Sequence, residues 1–120
     1  MKLTDAEKTR RLAEGCMGWH KKPRYIHSEK DSWHDAAHRF KHFVCNWQPL
    51  HNEAHAAEVR EAMRAKGWLM IYRMMPTCDA ITFEHFSKQR QIVFVDIGCA
   101  PLGICHAALL ALGLAQEEEL

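Results

Sequence analysis

The chain has 120 residues, 48% hydrophobic and 26% charged, a balance that argues against disorder except at the ends and suits one domain with its own core. A net charge of +1 with histidines neutral argues against a general polyanion binder, which carries a strong basic excess. No apolar run reaches the ~18–20 residues a membrane span needs, and five cysteines without a CxxC pair fit reduced thiols better than a disulfide scaffold.

The first residues are polar and charged, unlike a signal peptide, so a cytoplasmic location is expected. Thr4-Asp5-Ala6-Glu7 reads as a capping box that opens a helix ending near Gly15. Ala6, Leu12, Ala13, Cys16 and Met17 are its apolar positions, and Arg10, Arg11 and Glu14 are expected to face water.

Residues 18–49 form an aromatic, histidine-rich insert with six basic residues against three acidic ones. Residues 32–44 fit a helix with Ser32 and Asp35 as a second capping box, and residues 40–45 fit a short strand. Periodicity does not separate these readings.

Asn52 is a suitable N-cap for a helix to Lys66, with Ala56, Val59, Ala62 and Met63 on one face and Gly67 as its stop. Three strand-like runs follow, over 68–75, 80–86 and 91–97. Their short links favour an antiparallel meander. The third is apolar on both faces except at Asp96, which suggests a central or well-covered strand. Pro101 suits the first turn of a last helix that runs to about Leu112. That helix is apolar nearly all round, apart from His106, so it is expected to be buried or to lie in an interface, where it offers a surface for self-association.

The order gives an α+β fold: a three-stranded antiparallel meander flanked by helices, as an α/β/α or a two-layer sandwich, in a single domain. The same order occurs in double-stranded RNA-binding domains, but the last helix here starts Ala100-Pro101-Leu102-Gly103, without a base to grip phosphate.

Three segments carry a family resemblance. They are Arg11-Leu12-Ala13-Glu14 with Met17-Gly18-Trp19, then residues 46–52 (NWQPLHN) running into Ala57-Glu58-Val59, then residues 104–113 (ICHAALLALG). In order and spacing the chain resembles the phage ABA-sandwich domain family. The resemblance implies an α/β/α sandwich and a phage or prophage origin, and it supplies no catalytic residues. The stretch from His20 to Lys41 is longer than the family pattern.

Several constellations carry chemistry. His34, His38 and His42 are spaced i, i+4, i+8, and His51 and His55 are an i, i+4 pair, spacings that zinc accepts on a helix. No HExxH motif is present, and solvated or capping histidines are the plainer reading. The cysteines read as small core residues; Cys105 and His106 are adjacent and point apart, and Cys99 lies just before a helix. Gly98-Cys99-Ala100-Pro101 is an ordinary strand-to-helix turn rather than a phosphate cradle. Asp79, Glu84 and Asp96 are too scattered for paired-carboxylate catalysis.

The aromatic-basic insert holds the candidate binding residues Arg24, Tyr25, Trp33, Arg39 and Trp47. Such side chains are favoured at protein-binding hot spots and also stack on bases. The alternative is that the indoles anchor the core. The expected function is non-enzymatic binding of a bacterial host component, with inhibition of a defence system as its purpose. A small-ligand binder for a nucleotide signal is the alternative, and a histidine-dependent metalloprotein a third reading. No cofactor is expected, and nucleic acid and membrane are not expected partners.

Overall fold

The computed structural model describes residues 1–23, 30–74, 76, 79–87, 90–96 and 100–120, with the strand at 90–96 described through its backbone. Helix α1 spans Asp5–Arg11. Thr4 caps it by accepting a hydrogen bond from the Glu7 backbone N–H at 3.1 Å. The Glu7 carboxylate goes to Arg10 and Arg11 instead of back to the cap. A π-type turn over Leu12–Cys16 continues the helix, marked by the Met17 N–H donating to Leu12 O at 2.9 Å. Arg11 is half-buried rather than solvated, because its guanidinium donates to Leu114 O at 2.7 Å.

The insert is a small sheet of three short antiparallel strands: β1 (His20–Lys22), β2 (Ser32–His34) and β3 (Phe40–Phe43), in the order β1-β2-β3. A helix over 32–44 is thereby ruled out and the strand reading holds. The cause is the turn after β2. Asp35 accepts from the backbone N–H groups of Ala37 and Arg39, each at 2.9 Å, and His38 takes a positive φ of 62°. Side-chain bonding of that kind competes with a helix.

Helix α2 (Glu53–Ala65) is capped by Asn52, which accepts from His55 N–H at 3.0 Å, and it buries Ala56, Val59 and Met63. Gly67, at φ 93°, ends it and turns the chain into the meander. Strands β4 (Trp68–Met74), β5 (Asp79–His85) and β6 (Arg90–Asp96) pair in unbroken antiparallel register, with Met70 opposite Phe83 and Phe83 opposite Ile92. β5 is the middle strand. β6 is therefore an edge strand with α3 against it, so of the two readings its apolar composition allows, central or well covered, the central one fails.

Helix α3 (Ala100–Ala111) lies against β5 and β6, and α2 lies against β4 and α3. Trp68, Ile81 and Phe83 are buried beneath them. The opposite face of the meander is not sealed by a helix among the described residues, and Leu69 on it is 53% exposed. The apolar circumference of α3 is used inside the chain: Ile104, Cys105, Ala107, Ala108 and Leu109 are buried on all sides. Its polar exception, His106, has Nε2 3.1 Å from Lys8 Nζ of α1. Of its larger apolar residues only Leu102 and Leu110 are left partly exposed. Among the described residues no helix is long and apolar enough to cross a membrane.

Candidate functional site: a cleft between α1 and the small sheet

Trp19, Trp33 and Trp47 belong to the same core cluster as Leu12, Leu50 and the residues of α2 and α3. The indoles thus serve first as anchors that bind the small sheet to the rest of the chain. Trp19 and Trp47 meet edge to face at 4.8 Å between ring centroids, and the His42 ring stacks near Trp47 at 6.3 Å.

A cleft of about 510 Å³ opens beside these anchors, within the range of small-molecule sites. One wall is α1, through Asp5, Ala6, Thr9 and Arg10. The other is Lys21 of β1 together with Val44, Cys45, Gln48, Leu50 and His51. Trp33 and Trp47 contribute to the lining although they are only 2% and 1% exposed. Among the described residues neither indole nitrogen has a hydrogen-bond partner. Both nitrogens are themselves buried, and a buried donor without an acceptor costs about 1–3 kcal/mol.

The charged groups at the rim are largely engaged. His51 Nε2 lies 2.9 Å from Asp5 Oδ2. Arg10 is gripped by Glu7 and Glu14, and its guanidinium, with that of Arg11, holds the Glu7 carboxyl down to about 2. Lys21 lies 3.9 Å from Asp31. The rim is thus charge-balanced around a mainly apolar interior.

The predicted residues divide accordingly. Trp33 and Trp47 come together at the cleft. Arg39 does not: it is exposed and bound to Asp35 at 2.8 Å, in the turn beyond β2. Backbone donors from Arg39 and then its guanidinium hold the Asp35 carboxyl near 2, below the ordinary carboxylate range. Arg24 and Tyr25 lie outside the described residues, as do Cys78, Cys99 and the turn at Gly98. The sequence reading missed the α1 wall. No local pattern marks that wall, because Thr9 and the buried Ala13 are i, i+4 neighbours on one side of the helix.

The histidine spacings do not act as read. His34 is buried in β2, with Nε2 2.8 Å from Ser32 Oγ and Nδ1 3.3 Å from His38 O, while His42 lies on β3. His51 and His55 separate toward Asp5 and toward the Gln48 backbone. Among the described residues the cluster that does form is His42, His55 and Glu58, with ligand atoms within 4.8 Å of one another. These three are the residues that could hold a cation. His42 Nε2 is 2.9 Å from Glu58 Oε1, however, and His55 Nδ1 accepts the Gln48 N–H at 2.9 Å. A neutral imidazole accepting at Nδ1 carries its proton on Nε2, so His55 has no lone pair left for a metal. Partial burial, then the charge of His42, pushes the His55 pKa down. Among the described thiols, burial pushes Cys16 up to about 11, which keeps it from being a nucleophile, and Cys105 is buried too; Cys45 is exposed at the cleft.

The profile of the phage ABA sandwich domain family matches residues 10–109, from within α1 to within α3. No curated relative and no solved structure matches the chain. The matched stretch takes in the small sheet, the cleft floor, the whole meander and its two covering helices, so the chain belongs to the phage ABA sandwich domain family, and this is a phage protein.

Proposed function

We propose that this phage protein is a non-enzymatic binder of a bacterial host protein, with the cleft between α1 and the small sheet as its recognition site. The observation that carries the reading is the cleft's chemistry. A mainly apolar interior, lined in part by the buried Trp33 and Trp47 rings, lies inside a rim whose charges are already paired. Such a site suits an apolar side chain of a partner packed against the indole rings. It suits a phosphate less well, because Arg10 is committed to two carboxylates and Lys21 has Asp31 beside it. The purpose of such binding in a phage is to occupy and block a host component in the cytoplasm, such as a defence protein.

The test is capture from host lysate by the wild-type chain and by Thr9→Trp, which fills the cleft from the α1 wall. Trp33→Phe and Trp47→Phe keep most of the ring volume and delete the donor. A specific host protein retained by the wild type, lost with Thr9→Trp and held roughly tenfold more weakly by the Phe variants is the expected result. Equal retention by all four proteins, or no retained protein, would sink the reading. The cleft volume also suits a small ligand, a nucleotide signal among them. Native mass spectrometry of the chain from phage-infected cells separates the two: a bound mass released by denaturation favours the ligand.

A further inference from the structure

The meander leaves one face with no helix on it among the described residues, and that face does not have the composition of a solvated one. Antiparallel sheets with one wet face normally alternate apolar inward and polar outward. Here Trp68 and Met70 turn toward the helices, so Leu69, Ile71 and Arg73 occupy the outer side of β4. Ala80, Thr82 and Glu84 occupy the outer side of β5, where Ala80 and Thr82 lie low between the neighbouring strands. Leu69 is 53% exposed, and Phe86, just past Glu84 at the same end, is 87% exposed. In the β5–β6 ladder, positions Val93 and Val95 stand beside Thr82 and Ala80.

We infer that this face packs against the same face of a second copy of the chain, about a two-fold axis that runs across the strands over Ile71 and Thr82. Three registered rows lead to this geometry. Leu69 and Glu84 pair in one row, Ile71 and Thr82 in the next, Arg73 and Ala80 in the third. Arg73 and Glu84 are the only charges at these six positions, and they sit at opposite ends. Both are exposed, and neither has an ion pair among the described residues. An axis across the strands reverses the rows. It brings the partner subunit's Arg73 over Leu69, beside Glu84, and repeats that pairing on the other side, as an isologous contact requires. An axis along the middle strand β5 instead stacks Glu84 on the partner's Glu84, which like-charge repulsion disfavours. The apolar middle row meets itself in the first arrangement, giving an aligned sheet-on-sheet packing.

The face shares no residue with the cleft, so the dimer stands or falls separately from the proposed binding function. Three strands of seven residues span about 14 Å by about 24 Å. That is smaller than a standard stable interface, so the dimer is expected to form at micromolar concentrations rather than below them.

Sedimentation velocity and light scattering of the full chain across the micromolar range test it. The wild type is expected to move from 13.9 kDa toward twice that mass as concentration rises. Arg73→Glu and Glu84→Arg, each alone, are expected to weaken the dimer roughly tenfold or more by setting like charges together, and the double variant to recover most of the loss. Because the double variant must refold the contact from two impaired halves, its recovery excludes misfolding as the cause of the single losses. A chain that stays monomeric throughout, a dimer indifferent to both charge reversals, or a double variant no better than the singles would each overturn the inference.

Discussion

The two sheets of this molecule are built in opposite ways. The meander is three seven-residue strands in unbroken register, its order dictated by alternation and short links, and among the described residues no helix covers one of its faces. The small sheet has strands of three or four residues, a bulge between Trp33 and His34, and too little ladder to stand alone. It persists because Trp19, Trp33 and Trp47 are sunk in the common core and because His34 and the Asp35 carboxylate brace the turn between β2 and β3. A regular sheet gets its stability from backbone pairing and one packed face, and it has a second face to spare. An irregular one relies on side chains for the same purpose, and its spare feature is a cleft.

That contrast is broken most severely at its anchors. Trp47→Ala is expected to cost about 3–5 kcal/mol, as much as Phe83→Ala beneath the meander, because both delete a fully buried aromatic side chain. A loss of that size is a large share of the ~5–15 kcal/mol available to a small domain. Urea unfolding monitored by circular dichroism measures both. If Trp47→Ala cost under about 1 kcal/mol, the small sheet would be a decoration on the surface and not part of the core. Trp47→Phe sharpens the point, since it removes the unpaired indole N–H along with some volume. Its cost is expected to stay within about 1.5 kcal/mol.

An intermediate effect is expected from pH, and it belongs to the small sheet and its surroundings. His20 is held below its ordinary pKa by desolvation and by the nearby charges of His38, Lys22 and His34, and His55 by burial and His42. A histidine whose folded pKa is depressed binds fewer protons folded than unfolded. Its neutral form therefore contributes stability that is complete above the unfolded value near ~6.5 and is lost as pH falls toward the folded value. Thermal melts are expected to show a lower Tm at pH 5 than at pH 8. The double variant His20→Gln, His55→Gln is expected to flatten that slope, whereas a slope unchanged by the pair would place the acid sensitivity elsewhere.

Much of the frame is legible in the residues. The caps at Thr4 and Asn52, the stop at Gly67 and the alternation through Trp68, Met70, Ile81 and Phe83 are local signals, and the structure follows them. The insert is different because its decisive features are not periodic. Aromatic and histidine residues spaced three and four apart suit a helix, until Asp35 bonds two backbone N–H groups and His38 adopts a left-handed φ. The position of β6 was illegible for a related reason: a strand apolar on both sides marks faces to be covered, and the chain does not say whether its own helices cover them. At the site, Trp33 and Trp47 could be found from composition, but Asp5, Thr9 and Arg10 could not. Their role comes from α1 lying opposite a sheet that sequence patterning left open between helix and strand.

The smallest effect is expected where the small sheet bends hardest. His38 takes φ 62° in the tight turn between β2 and β3, in the left-handed region that costs a residue with a Cβ roughly 1 kcal/mol relative to glycine. Its backbone carbonyl accepts from His34 or faces it at 3.3 Å, and its N–H donates to Asp35 O at 2.9 Å; both groups survive a change of side chain. Replacement by glycine relieves the backbone but frees the unfolded chain and removes the ring packed 5.1 Å from His20. The gain and the losses are of similar size, so His38→Gly is expected to change stability by under about 1 kcal/mol in either direction. His38→Val should be worse than glycine by more than that, since a β-branched side chain tolerates the left-handed region least. Chemical denaturation of the pair measures the difference between the two variants. Equal stability of Gly and Val would mean that the turn relaxes out of the left-handed conformation, and with it the reason that residues 32–44 are strands rather than a helix.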